Sequence, residues 1–357
     1  MRLDSVRELK QQLLSNVVMP LNEGARLAVS ARRTREVVIG AADDVAVAAG
    51  PITQLSARQR TLALGIAPRG SGKDFALAIR VQRERLMTSS LLDELKKAAK
   101  GEVDVRYVGR ASKRRVEAIG SSKPCKDRHR PLLIGSSIGH HIVTAGTLGC
   151  FVKDRSGNVL ILSNNHVLAN ESRGKRNDAI LQPGRLDGGT NPADRVGFLH
   201  SSVALKKSRP NYVDCASAGL DSGVEYDVAT LKSPRRRVQQ LAGQAAADVV
   251  DEGLNVMKFG RTTCFTKGRV TAFDIGNLVV RYDIGNLRFE DQIEVEGAGN
   301  DSFSDGGDSG SLVMTEEFAA VGLLFAGSET GGTNRRGLTF VNPIQRVLSD
   351  LKVTLLT

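Results

Sequence analysis

The sequence has no tryptophan, and aromatic side chains make up only 4% of its 357 residues. Hydrophobic residues still account for 41% of the chain, which predicts a globular protein with an aliphatic core. No apolar run approaches the roughly 18 residues that a membrane-spanning helix needs. The first residues are charged and lack the apolar core of a signal peptide. We therefore expect a cytoplasmic protein that makes no membrane contact.

Cysteines are also few, and they occur at Cys125, Cys150, Cys215 and Cys264. Their scattered spacing fits no zinc-binding pattern. The adjacent His140 and His141 are expected to face opposite sides of a strand, and no third metal ligand is evident. The sequence thus predicts reduced thiols, as in the cytosol, with no metal site and no cofactor.

Acidic residues are scarce in the first part of the chain. Residues 1–130 carry 26 Lys and Arg against 14 Asp and Glu, whereas the remaining residues carry 24 against 25. Such an excess occurs in proteins that bind nucleic acid or an acidic partner, and also on solvated surfaces and linkers. Because no aromatic side chains interleave with the basic clusters, we do not expect nucleic-acid binding. Residues 1–130 remain a candidate region for a regulatory partner.

Residues 1–110 have the pattern of a small, basic α+β domain. The spacing of Val6, Leu9 and Leu13 predicts an amphipathic helix. A β-β-α-β unit is predicted after it, with strands over 61–66 and 75–81, a helix over 89–100 and a strand over 103–108. Residues 111–130 are predicted to form a basic linker. Residues 131–357 contain short apolar runs separated by glycine-rich turns, which is typical of an all-β barrel domain.

The most informative motif is Gly307-Asp308-Ser309-Gly310-Ser311, which leads into an apolar run. A serine between glycines on a tight turn can present its hydroxyl as a nucleophile, because no neighbouring Cβ blocks a substrate carbonyl. The backbone N–H groups of Gly307 and Ser309 could both point at a developing oxyanion. The motif therefore predicts a nucleophilic serine, Ser309.

A serine hydroxyl needs a general base to act as a nucleophile. Of the five histidines, only His166 follows a predicted buried strand, over 159–162, and precedes a short helical segment. A histidine at the end of a strand has a fixed position at the rim of a barrel. His166 is therefore the predicted base.

Ser163-Asn164-Asn165-His166 and Gly307-Asp308-Ser309-Gly310, in this order, resemble the motifs of chymotrypsin-like serine peptidases. The resemblance extends over residues 130–351. It suggests an intracellular bacterial-type member with an extra N-terminal domain. The fold it implies is mainly β, a double β-barrel with the active site between the barrels, preceded by the small α+β domain.

The resemblance also requires an acid that orients the histidine, and two aspartates fit. Asp214 follows His166 by 48 residues, in Asn211-Tyr212-Val213-Asp214-Cys215-Ala216. Asp227 follows it by 61 residues and has the better local match, Asp-Val-Ala-x-Leu. The spacing and the Asn-x-x-Asp sequence before it favour Asp214, and Asp227 is the alternative acid. Geometry rather than spacing decides a triad.

The substrate-binding residues are likewise implied by the resemblance. The strand over 321–327 would pair with the substrate backbone, and Phe325, Ala326 and Gly327 would form one wall of the primary pocket. Phe303, six residues before Ser309, would form another wall. Because Phe303 is not acidic, we expect a small or apolar residue before the scissile bond rather than Arg or Lys.

The sequence thus predicts a serine endopeptidase that hydrolyses protein or peptide substrates through an acyl-enzyme intermediate. Two alternatives stay open. The first is a catalytically silent peptidase fold that works as a binding or regulatory module, with nucleic acid as a conceivable partner of the basic N-terminal region. The second makes residues 1–130 a recognition or autoinhibitory part, which acts when a partner binds.

Overall fold

The computed structural model describes residues 1–19, 62–70, 73–113, 124–230, 240–246, 253–333 and 335–357. Residues 114–123 of the predicted basic linker and residue 61 lie outside these ranges. The described helices are α1 Leu3–Leu13, which continues as a π-helical turn over Leu14–Val18, α2 Ser90–Ala98, α3 Asn165–Leu168 and α4 Ile344–Leu351. The strands before the predicted barrel domain are β1 Leu62–Arg69, β2 Asp74–Val81, β3 Val103–Tyr107 and β4 Ala111–Ser112.

An open first barrel is formed by eight antiparallel strands in the order β22-β8-β9-β12-β11-β10-β6-β7. This part of the chain also contains a short separate pair of strands, β5 and β13. Its strands are β5 Leu132–Ile134, β6 Ser137–His140, β7 Gly146–Thr147, β8 Cys150–Lys153, β9 Val159–Ser163, β10 Ala179–Leu181, β11 Arg195–Ser202, β12 Ala216–Leu220, β13 Tyr226–Thr230 and, at the end of the chain, β22 Thr354–Leu355. Its interior is mainly aliphatic, as the composition predicts.

A second barrel closes on itself, because β14, β15, β18, β21, β20 and β19 pair in a ring in which each strand is antiparallel to the next. The strands of this region are β14 Asn255–Gly260, β15 Cys264–Gly276, β16 Leu278–Tyr282, β17 Gly285–Phe289, β18 Gln292–Gly297, β19 Leu312–Thr315, β20 Ala320–Ser328 and β21 Thr339–Pro343. The predicted mainly β fold with two barrels is thereby confirmed.

The predicted β-β-α-β unit is present at the N-terminus. Strands β1 and β2 form an antiparallel hairpin, and β3 lies parallel to β2 after the crossover through α2. Strand β1 also pairs with β15, so this sheet continues directly into the second barrel. Arg80 of β2 is fully buried and forms an ion pair with the buried Glu294 of β18. A shared sheet and a buried ion pair therefore join the N-terminal unit to the second barrel.

Strand β4 belongs to the same sheet and lies between β16 and β20. It pairs with β20 through Ser112 opposite Gly327 and Ala111 opposite Ser328, and it runs parallel to β16. Residues next to β4 extend the contact, since Glu329 N–H donates to the carbonyl of Arg110. A short N-terminal segment thus lies along the edge of β20.

The expectation of four reduced cysteines was wrong. Cys125 and Cys264 form a disulfide, although 139 residues separate them in the sequence. The fold brings the segment that leads into the first barrel against the start of β15, and a pairing over such a distance cannot be read from spacing. Cys150 and Cys215 are free and buried, and burial raises the pKa of Cys150 to about 12. Among the described residues, no helix is long and apolar enough to cross a membrane.

Candidate active site

His166 lies in the short helix α3, directly after β9. The two asparagines before it hold this turn in place: Asn164 donates its side-chain amide to the carbonyl of Asp214 at 2.7 Å, and Asn165 accepts from the N–H of Ser172 at 2.7 Å. The strand therefore ends in a turn whose polar side chains bind neighbouring backbone instead of solvent. As a result, His166 has a fixed position at the end of the first barrel.

Asp214 is the aspartate that contacts His166. Its Oδ2 lies 2.5 Å from Nδ1 of His166, and its Oδ1 accepts the backbone N–H of His166 at 3.1 Å. Burial alone would raise the pKa of Asp214, but the nearby His166 and the hydrogen bonds that Asp214 accepts hold its pKa below the usual value. Asp227 lies instead on β13, where it pairs opposite Leu133 of β5. Only Asp214 of the two candidate acids adjoins the histidine.

Tyr282, a residue that the sequence did not single out, also contacts Asp214. Its hydroxyl donates to Oδ2 of Asp214 at 2.5 Å, and its ring is fully enclosed at the end of β16. Nothing in the local sequence distinguishes this tyrosine from an ordinary core residue of a strand. Its contact arises because the β16-β17 hairpin crosses from the second barrel to the first.

Ser309 lies on the turn before β19, against the His166 segment. Its carbonyl accepts the N–H of Thr147 at 2.8 Å, and the residue is 8% exposed. A Cβ on Gly146 would lie within 3.0 Å of both Val167 and the Ser309 carbonyl, so this glycine permits the two segments to pack closely. Among the described residues, the His166 ring hydrogen-bonds only to Asp214. The hydrogen bond between a catalytic histidine and its serine is often long or absent in a structure without substrate.

The glycine after the serine is required by space and by conformation. Gly310 has φ +92°, and a Cβ there would lie 2.1 Å from Oγ of Ser163. Its N–H donates to the carbonyl of Leu324 on β20 at 2.8 Å. The turn that carries Ser309 is thereby attached to β9 of the first barrel and to β20 of the second.

The residue before the serine, Asp308, anchors the turn from inside the second barrel. Its carboxylate accepts the N–H groups of Thr262, Thr263 and Asp305, and the hydroxyl of Thr263. The fully buried Lys258 on β14 lies 3.3 Å from Oδ2. Burial would raise the pKa of Asp308, but Lys258 and the hydrogen bonds lower it overall.

Lys258 and the turn over 260–263 are the other features that sequence reasoning missed. The turn receives Asp308: a Cβ on Gly260 would lie 2.6 Å from the Asp308 carboxylate. The available signal was Lys258 itself, a charged residue within the buried strand Asn255–Gly260. A lysine in such a strand needs an anion beside it.

The predicted oxyanion donors lie at the same turn. Gly307 has φ +101°, which favours glycine, and its carbonyl accepts the hydroxyl of Thr147 at 3.0 Å. The N–H groups of Gly307 and Ser309 donate to no described residue, in contrast to the N–H groups of Asp308 and Gly310 in the same turn. Both are therefore available to an acceptor beside Ser309.

The model of peptidase family S64 matches residues 203–355, a range that includes Asp214 and Ser309. This match agrees with the two-barrel topology. The chain has the fold of a chymotrypsin-like serine peptidase. No curated protein matches the sequence.

Several solved peptidases are similar to this chain. Thermobifida fusca protease A and the Nocardiopsis protease NAPase are each 18% identical, with a TM-score of 0.45, and cover 63% of this chain and 98% of their own. Cellulomonas bogoriensis chymotrypsin is 21% identical over 63% of this chain and 98% of its own, with a TM-score of 0.43.

The four residues expected to bind substrate occupy different surroundings in this peptidase fold. Phe303 is buried in the interior cluster of the second barrel, where its ring lies under Lys258. Phe325 and Ala326 lie in a neighbouring cluster with Phe289. Gly327 pairs with Ser112 of β4 and with Thr339 of β21. The pairing with Ser112 places Gly327 beside the N-terminal segment.

The part of the chain that the structure describes contains no group of three or more His, Cys, Asp or Glu side chains that could hold a metal ion. His140, considered as a ligand from the sequence, has its Nε2 2.9 Å from Asp178, and its Nδ1 accepts the N–H of Ile142. Both ring nitrogens therefore have protein partners.

Proposed function

We propose that this protein is a serine endopeptidase whose catalytic residues are Ser309, His166 and Asp214. The observation that carries the proposal is the contact of His166 Nδ1 with the buried carboxylate of Asp214, inside a chymotrypsin-like fold that packs Ser309 against the same segment. A carboxylate at Nδ1 leaves Nε2 as the nitrogen that can accept a proton from the serine.

Hydrolysis would follow in two stages. Ser309 Oγ attacks the peptide carbonyl while His166 takes its proton, and His166 then returns the proton to the leaving amine, which leaves an acyl-enzyme. Water attacks the ester in the second stage, with His166 again as the base. The N–H groups of Gly307 and Ser309 would bind the oxyanion in both stages, and the buried Lys258–Asp308 pair would keep their turn in place.

The substrate would be a protein or peptide that binds along β20 and needs no cofactor. We propose that Phe325, Ala326 and Gly327 contact it, with Phe303 behind them, and that a small or apolar residue precedes the scissile bond. The apolar surroundings of Phe325 favour this preference, because a charged side chain there would lose its hydration. Cleavage of a peptide library strictly after Arg or Lys would contradict it.

A fluorophosphonate probe, followed by peptide mapping, tests the catalytic residues. We expect labelling of Ser309 in the full chain and none in Ser309→Ala or His166→Ala. Asp214→Asn should slow labelling by about 10⁴-fold, the effect of removing the acid of a triad. Asp227→Asn is the matched control and should label like the wild type. Equal loss in the two aspartate variants would contradict the assignment of Asp214.

The same assay addresses the alternative function, a catalytically silent module. That function is disfavoured because a histidine, its acid and a serine nucleophile are all present. A wild-type chain that resists the probe, while its His166 and Ser309 remain folded in place, would support the silent module.

We also propose that the N-terminal region restrains the peptidase, in line with an autoinhibitory or partner-binding role for residues 1–130. The supporting observation is β4, which pairs with Gly327 and Ser328 on the strand assigned to the substrate. Lys113 fixes the end of this segment through ion pairs to Glu171 at 2.5 Å and Asp283 at 2.8 Å.

Lys113→Gln tests this restraint. We expect the variant to cleave a peptide substrate several-fold faster than the wild type, since loss of charge-assisted contacts of about 1.5 kcal/mol corresponds to about tenfold in the release of the segment. Lys153→Gln, a change of the same type at the exposed end of β8, is the control. Equal rates in both variants and the wild type would contradict the proposal.

A further inference from the structure

Tyr282 completes the set of hydrogen bonds around Asp214. Oδ1 of Asp214 accepts the backbone N–H of His166, while Oδ2 lies 2.5 Å from both Nδ1 of His166 and the hydroxyl of Tyr282. Because the Asp214 side chain is fully buried, no solvent is available to replace a missing donor. Within the described residues, the tyrosine is therefore one of three groups that hydrogen-bond to this carboxylate.

The hydroxyl of Tyr282 acts as the donor of this contact. Burial, together with the adjacent carboxylate, raises the pKa of Tyr282 well above its usual value, so the phenol keeps its proton at any working pH. A protonated phenol beside an ionised carboxylate donates to it. The two donors at Oδ2 share its negative charge and oppose rotation of the carboxylate.

The ring of Tyr282 is held in place from two sides. One edge contacts His166, with ring centroids 5.8 Å apart, and the ring stacks on Phe289 at 6.0 Å. The turn after Tyr282 is bound by Glu171, whose carboxylate accepts the N–H groups of Asp283 and Ile284. Glu171 follows His166 by only five residues, so the histidine segment itself fixes the tyrosine.

We propose that Tyr282 is a positioning residue, which holds the Asp214 carboxylate in the orientation that directs His166 toward Ser309. This role rests on the proposed peptidase function. It predicts that loss of the hydroxyl lowers turnover more than substrate binding, because Tyr282 acts through Asp214. It also predicts that loss of the hydroxyl stabilises the imidazolium of His166, because the Asp214 carboxylate then shares its charge with one donor fewer.

The groups that surround His166 are few enough to make a titration interpretable. Among the described residues they are Asp214 and Tyr282 in direct contact, Glu171 with its ion pairs to Lys113 and Arg173 beyond the hairpin turn, and His140 of β6, the strand packed against α3, with its partner Asp178. Tyr282→Phe changes none of these charges. A shift in the titration of His166 would therefore report the lost hydroxyl.

The kinetic test is Tyr282→Phe, with Tyr226→Phe as the matched control at a half-exposed tyrosine on β13. We expect kcat to fall about tenfold in Tyr282→Phe, the effect of losing one hydrogen bond to a charged group. KM should change less than kcat, and the acid limb of the pH profile of kcat/KM should move to higher pH. Unchanged kcat and an unchanged acid limb would overturn the proposal.

A second measurement does not depend on turnover. The His166 imidazole is titrated by NMR in the full chain, in the Ser309→Ala background with and without Tyr282→Phe. We expect His166 to titrate at higher pH when the hydroxyl is absent, in a chain that stays folded throughout the titration. Identical His166 titrations would overturn the role of Tyr282 even in an active peptidase, whereas an inactive wild type with the expected shift would refute only the proposed function.

Discussion

The buried pair of Lys258 and Asp308 makes a sharp prediction about the turn that carries Ser309. Neither side chain is exposed, and the ammonium lies 3.3 Å from the carboxylate. Lys258→Met keeps most of the side-chain volume and removes the charge. Asp308 then keeps its donors from Thr262, Thr263 and Asp305 but loses its only buried cation within the described residues.

The magnitude follows from the cost of an unpaired buried charge. Breaking such a pair costs about 3–5 kcal/mol, which for a protein of this size lowers the melting temperature by at least about 5 °C. The pH dependence has a definite sign. Because the folded pKa of Asp308 is lowered, its contribution is present above the unfolded value of 3.8 and is lost as the pH falls through the folded pKa. The stability deficit of Lys258→Met should therefore be largest near neutral pH and should shrink as the pH falls through the folded pKa of Asp308.

Calorimetry and the rate of fluorophosphonate labelling measure the two consequences. Labelling should slow by about tenfold or more, because the turn that holds the oxyanion donors loses its anchor. Lys267→Met is the control, since Lys267 forms an ion pair with Glu316 on the surface, where such pairs contribute little. Wild-type stability and labelling in Lys258→Met would refute the reasoning, and Asp308→Asn added to it should restore part of the stability.

Three further changes test other contacts. Gly310→Ala should prevent stable folding, because its Cβ would overlap Ser163, whereas Gly157→Ala, also at positive φ but in open space, should cost only about 1 kcal/mol in a thermal melt. Arg80→Met should lower the unfolding free energy by about 3–5 kcal/mol in urea titrations, because it leaves the buried carboxylate of Glu294 without its cation. Reduction of the Cys125–Cys264 disulfide should cost about 2–5 kcal/mol in the same titrations, and a serine variant of both cysteines should not respond to reductant.

The barrels could be predicted from sequence because each strand carries its own signal. Apolar runs bounded by glycine-rich turns are a local property, and the two motifs around His166 and Ser309 are local as well. The choice between Asp214 and Asp227 depends on which carboxylate lies near His166 in space. The resemblance supplied only their separation from His166 along the sequence. The structure adds the geometry, in which β12 pairs with β9 and brings Asp214, two residues before β12, to the end of the histidine strand.

What sequence could not supply are contacts between distant segments. Tyr282 reaches Asp214 because a hairpin inserted between β15 and β18 extends across the cleft, and no pattern within the hairpin specifies its direction. The Cys125–Cys264 pairing depends on the same kind of long-range closure. In contrast, Lys258 could have been found, since a charged residue within a buried strand predicts a buried counter-charge.

The charge asymmetry of the sequence gains a physical explanation from the fold. Basic residues of the N-terminal region are paired with acidic residues of the barrel region: Arg80 with Glu294, Arg106 with Glu296, and Lys113 with Glu171 and Asp283. A positive excess in one part of a sequence is an electrostatic footprint for nucleic acid only when the charges remain solvent-facing. Here part of the excess is matched within the chain, since Arg80, Arg106 and Lys113 attach β2, β3 and the end of β4 to the barrel region. This intramolecular use of charge is also what places β4 beside the proposed substrate strand.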